Sequence, residues 1–161
     1  MAIAKKYTWS VIVVLVVLMG ILYFFNRFNH DVKALTDFSY SYEKFDNAIS
    51  DFSKSVFASN LNDTLAADDL ERKANEALIE LNIKASERIS SLIKNDAEFM
   101  SSELEIADLS GKELTAIGIY KRSIFIKSAA EMDNLAKEFR DLKNKRTTTY
   151  ARFQELVKQT K

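Results

Sequence analysis

Residues 9–25, WSVIVVLVVLMGILYFF, form an apolar run with no charge and no proline. A helix needs roughly 17–25 apolar residues to cross a bilayer, and only a helix or closed barrel satisfies every backbone N–H and C=O where water is absent. The run therefore reads as a transmembrane helix. A cleaved signal peptide would carry a shorter apolar region, about 7–15 residues, ending in small residues. Here the run ends in Tyr23, Phe24, Phe25, Asn26, Arg27 and Phe28, so the reading is an uncleaved anchor over 9–28 behind a short leader, 1–8. Trp9 and Tyr23 place amphipathic rings at the two edges, where headgroups would lie. Lys5 and Lys6 stand against Arg27 and Lys33 across the run. Counting bases and the shortness of the leader, the expectation is a cytoplasmic amino terminus and an extracytoplasmic bulk, in the periplasm or at the cell surface if the source is bacterial.

The rest of the chain, 29–161, is enough for one domain. The chain has no proline, three glycines and no cysteine. With so little turn chemistry, long helices are the default. Without cysteine there are no disulfides, thiolate metal sites or cysteine nucleophiles. Net charge is zero, yet acids dominate from Ala34 to Gly111 and bases from Lys112 onward. Opposite blocks joined by a turn point to antiparallel helices with complementary faces. The basic end does not suggest nucleic acid, because acids are interleaved and the anchor places the domain outside the cytoplasm.

Leu35, Phe38, Tyr42, Phe45, Ile49, Phe52 and Val56 alternate spacings of three and four, a heptad seam continuing from the anchor. The flanking positions, Ala34, Ser39, Ser41, Asp46, Ala48, Ser53 and Ser55, are mostly small and uncharged. Small flanks admit neighbours on both sides and favour a bundle over a two-stranded zipper. Asn60, Asn62 and Asp63 mark a first break, with Asp68 and Glu71 as a capping-box-like start of helix two. Leu70, Leu81 and Leu92 follow an eleven-residue spacing, which implies a nearly straight helix, bent at most near Asn95 and Asp96. Ser110-Gly111-Lys112-Glu113 has the form of a capping box and is read as the start of helix three. The fold expected is all-α: an anchor continuing into an antiparallel bundle of three helices, at about 29–58, 66–108 and 111–158.

Chemistry is sparse. His30 is the only histidine, and no E-x-x-H spacing supports a di-metal site. Glycine-rich phosphate loops and nucleophile elbows are absent. No catalytic residue, metal site, cofactor or small-molecule substrate is expected. Two surfaces stand out instead. Arg146 and Thr149 interrupt the seam of the last helix, so its end, with Arg146, Tyr150, Phe153 and Leu156, is the candidate contact for a protein partner. Helix two, read as one element of about 60 Å, would bring the next turn back to the membrane, and Ile119, Tyr120 and Phe125 are the candidate interface contacts. In outline the chain resembles LemA-type proteins, bitopic cell-division proteins, phage inner-membrane spanins and chemoreceptor ectodomains. The resemblance is one of architecture and carries over no residue roles. The function expected is that of a structural or adaptor subunit, with a sensory or regulatory ectodomain as the alternative. Its partners would be the bilayer and another protein or a second copy.

Overall fold

The heptad seam of the first helix is the spine of the fold. All seven of its residues, Leu35 through Val56, are buried. The computed structural model describes residues 2–58, 64–87 and 96–159. They form α1 (Ala2–Phe57), α2 (Thr64–Ala85), α3 (Asp96–Ser123) and α4 (Ala129–Gln159), with no strand among the described residues.

α1 is one unbroken helix of 56 residues. Its two halves meet different surroundings. Residues 13–28 are exposed throughout, whereas from Asp31 onward one face is covered by the other helices. By length and composition this is the one described helix able to cross a membrane.

Cross-helix contacts set the topology. Lys84 with Asp37 at 3.5 Å and Lys44 with Glu80 at 2.5 Å make α2 antiparallel to α1. Lys121 on α3 reaches Glu71 on α2 at 2.8 Å and also pairs with Asp68. Arg152 on α4 meets Glu98 on α3 at 2.5 Å. α4 closes on α1 through the Phe38 and Phe153 rings, 5.1 Å apart, and the Tyr42 and Tyr150 rings, stacked at 3.5 Å. The helices thus alternate up and down, with α1 and α3 leading away from the apolar segment and α2 and α4 returning to it. Several of these pairs join the acidic first half to the basic second half, as the charge segregation implied.

Helix boundaries differ from the sequence expectation in three places. The three-helix bundle is a four-helix packing, because helix two, expected over 66–108, stops at Ala85 and helix three, expected over 111–158, is interrupted between Ser123 and Ala129. There the Ser86 N–H bonds to both Asn82 O and Ile83 O and the Glu87 N–H to Lys84 O, tightening the last turn. The positions around the two breaks, 59–63 and 88–95, with Asn60, Asn62, Asp63, Leu92 and Asn95, lie outside the described residues.

The third difference is at Ser110, where α3 runs straight through. Ser110 is wholly buried and its Oγ donates to Ile106 O at 2.8 Å, the bond a mid-helix serine makes to the preceding turn. Glu113 is equally buried and turned to Arg146, so neither residue caps. The carboxylate half of a capping box is found at Ser128 instead. Glu131 Oε2 accepts from the Ser128 N–H at 2.9 Å and from its Oγ at 2.8 Å, opening α4. Asp68 and Glu71 likewise lie inside α2, which starts at Thr64, and serve as ion-pair partners of α3.

Candidate functional site

The most unusual chemistry in the bundle is a charged layer inside it. Arg146 sits mid-way along α4 at a seam position, with its side chain fully shielded from solvent. An isolated buried guanidinium would be prohibitively unfavourable, so partners must converge on it. Its Nε donates to Glu113 Oε2 at 2.5 Å and its Nη2 to Asp46 Oδ1 at 2.7 Å. The guanidinium carbon lies 5.1 Å from the Tyr42 ring centroid and 5.3 Å from that of Phe45. Three helices, α1, α3 and α4, therefore share one cation. Nη1 is buried without a hydrogen-bond partner.

Burial pushes the Glu113 carboxyl above its usual range, against the pull of the Arg146 hydrogen bond and charge. Burial also opposes the charge on Arg146, but the bonds to Glu113 and Asp46 outweigh it and hold the guanidinium charged. Tyr42 is raised, chiefly by burial. Beside this layer the α1–α4 seam opens into a shallow cleft of about 450 Å³ bordered by Tyr42, Asp46, Thr147 and Tyr150.

A second buried acid stands alone. Glu103 on α3 is 1% exposed, and its Oε2 has no hydrogen-bond partner. Burial, with a smaller contribution from Glu87, pushes its pKa up to about 8. It is neutral over much of the physiological range.

The residues expected to meet a partner are placed inside the fold. Arg146 and Phe153 are wholly buried and Leu156 nearly so. Phe153 sits edge-on to both Phe38 and Phe99, at 5.1 Å and 5.8 Å. Tyr150 is half-buried, stacked on Tyr42, with its hydroxyl accepting from Gln154 Nε2 at 2.6 Å. The interrupted seam is closed, because Arg146 meets the buried Glu113 and the partly exposed Asp46.

Ile119, Tyr120 and Phe125 are also displaced from their expected position. With α2 ending at Ala85, the chain reverses twice before reaching them, and the α3–α4 turn lies at the end of the bundle away from the apolar segment. Tyr120 packs against Phe57 at the last turn of α1, with ring centroids 4.6 Å apart. That is about 45 Å from Phe28 at roughly 1.5 Å per residue. These residues therefore do not face the bilayer that the apolar segment would enter. His30 is largely exposed, with Nδ1 3.6 Å from Asp31 Oδ1. Among the described residues no group of three or more acidic, histidine or cysteine side chains could hold a metal ion.

Comparison with family models, curated proteins and solved structures finds no match for this chain. The physical chemistry of the site is the guide to its function. The seam position of Arg146 was visible in the sequence, and so was the S-x-x-E spacing at Ser128. The isolation of Glu103 had no sequence signal, since one glutamate among many acids carries no mark of burial.

Proposed function

We propose that the chain is a membrane-anchored helical-bundle protein acting as a structural or adaptor subunit, with no enzymatic role of its own. The amino terminus lies in the cytoplasm and the bundle outside it. The observation that carries this reading is the division of α1. Its first half exposes Val13 to Phe25 nearly all round, while its second half, without a break, is the buried spine of the bundle. Such a run of aliphatic and aromatic side chains finds no cover in its own fold, and a bilayer supplies one. A continuous helix transmits the anchor's orientation rigidly, so the bundle would stand as a post of defined height.

Resistance to alkaline carbonate extraction, lost when residues 1–28 are removed, is the expected behaviour. A reporter fused after Lys161 should be active only if exported. Release of the full chain by carbonate, or a cytoplasmic carboxy terminus, would refute the anchor or the orientation respectively.

The alternative is a sensory or regulatory ectodomain acting through a separate membrane partner. Glu103 favours it, because a buried carboxyl that changes charge near pH 8 could couple proton uptake to the packing of α3. Deletion of the chain's partner response by Glu103→Gln would be its signature.

A further inference from the structure

Phe125 and Ile126 are the most exposed large hydrophobic residues described, at 81% and 84%, more than any side chain described in the apolar segment of α1. They are adjacent in the α3–α4 turn, which is pinned beneath them by bonds from the Ile126 and Lys127 N–H groups to Ser123 O. The turn lies at the end of the bundle away from the apolar segment, and from Lys121 to Ser128 it carries Lys121, Arg122 and Lys127 with no acid. Lys121 is engaged by Asp68 and Glu71, and Arg122 also reaches Glu71 at 3.6 Å, yet the Arg122 and Lys127 side chains remain exposed.

We propose that this turn inserts its apolar pair into the interface of a second lipid bilayer, so that the bundle bridges two membranes. The proposal rests on the anchor reading above. Its occupant is lipid for a reason of size and shape. A stable protein interface buries roughly 800 Å² on each side, over a broad complementary surface. Two exposed side chains on one turn offer a small fraction of that, of which the aromatic supplies about 200 Å². A bilayer interface has no such requirement, since each inserted side chain gains independently and flanking bases meet phosphates. The tip lies about 45 Å from the anchored end and points away from it, so the anchor's own bilayer is out of reach.

The full chain is reconstituted into phosphatidylcholine vesicles, and incorporation is verified by flotation after carbonate washing. Fluorescent, protein-free vesicles of phosphatidylcholine and phosphatidylglycerol are then added, and their capture is measured by co-sedimentation. Wild-type chain should capture them. Phe125→Ser with Ile126→Ser should weaken capture at least about tenfold, with incorporation and helicity unchanged, since both side chains are almost fully exposed. Failure to incorporate would strike the anchor reading alone. Incorporated wild-type chain that leaves the second vesicles free, or a double variant that captures them equally well, would overturn the bridging proposal.

Discussion

Replacing Arg146 with methionine isolates the contribution of the buried charge. Methionine keeps much of the side-chain volume but removes the cation, and Glu113 is then left fully buried without its bidentate partner. Breaking a buried ion pair from one side costs about 3–5 kcal/mol. Loss of the guanidinium from the faces of Tyr42 and Phe45 adds about 0.5–2 kcal/mol. Since domains of this size are stable by roughly 5–15 kcal/mol, Arg146→Met should remove a large part of the total. The partner substitution should restore most of it. In Arg146→Met with Glu113→Leu no buried charge remains in this layer, and Asp46, partly exposed, returns to water. Urea unfolding of residues 29–161, followed by far-UV circular dichroism at pH 7, measures all three proteins. Acidification should also narrow the deficit of the single variant. Its Glu113, raised still further in the folded state, favours folding below the ordinary carboxyl value near 4.5, and that contribution is lost as pH rises. A cost below about 1 kcal/mol for Arg146→Met, or a double variant no more stable than the single one, would show that the layer does not hold the helices together.

Other outcomes rest on the same geometry. Glu103 has a folded-state value near 8 against an ordinary 4.5, so the folded state holds a proton the unfolded chain releases. Stability should fall between those values as pH rises, by about 4–5 kcal/mol in full, and the fall should be absent in Glu103→Gln; a flat wild-type profile would contradict the burial of this acid. Ser128→Ala should cost about 1 kcal/mol by removing the hydroxyl that donates to the Glu131 carboxylate at the start of α4, whereas Ser110→Ala, which loses one intrahelical bond of a hydroxyl, should cost less; the reverse order would return the helix boundary to residue 110. Residues 29–161 alone should sediment as a helical monomer at low micromolar concentration, because α2, α3 and α4 cover the α1 seam within one chain, and Phe45→Asp should unfold it. A concentration-dependent dimer would mean that the seam is shared between chains.

The helical class, the apolar amino-terminal segment and the buried face of α1 were legible in the residues themselves. Each depends on periodicity and composition, which are local properties: seven seam residues at alternating spacings of three and four have only one side on which to be buried. Helix ends were harder to read. The S-x-x-E pattern occurs at Ser110 and at Ser128 with the same local chemistry, and only the second is a cap. What separates them is a residue 33 positions beyond Glu113, since Arg146 takes that carboxylate for the interior. The break after Ala85 reversed the direction of the chain, and with it moved Ile119, Tyr120 and Phe125 from the expected membrane side to the far tip. Direction is a cumulative property, so one missed turn relocates every later residue. The role of Arg146 was misplaced for a related reason. A charge on a seam reads as a defect or a docking point until Asp46 and Glu113, remote in sequence, are brought within 2.7 Å of it. Tertiary packing alone decides whether such a charge faces water or a counterion, because long-range partners supply the compensation that burial requires.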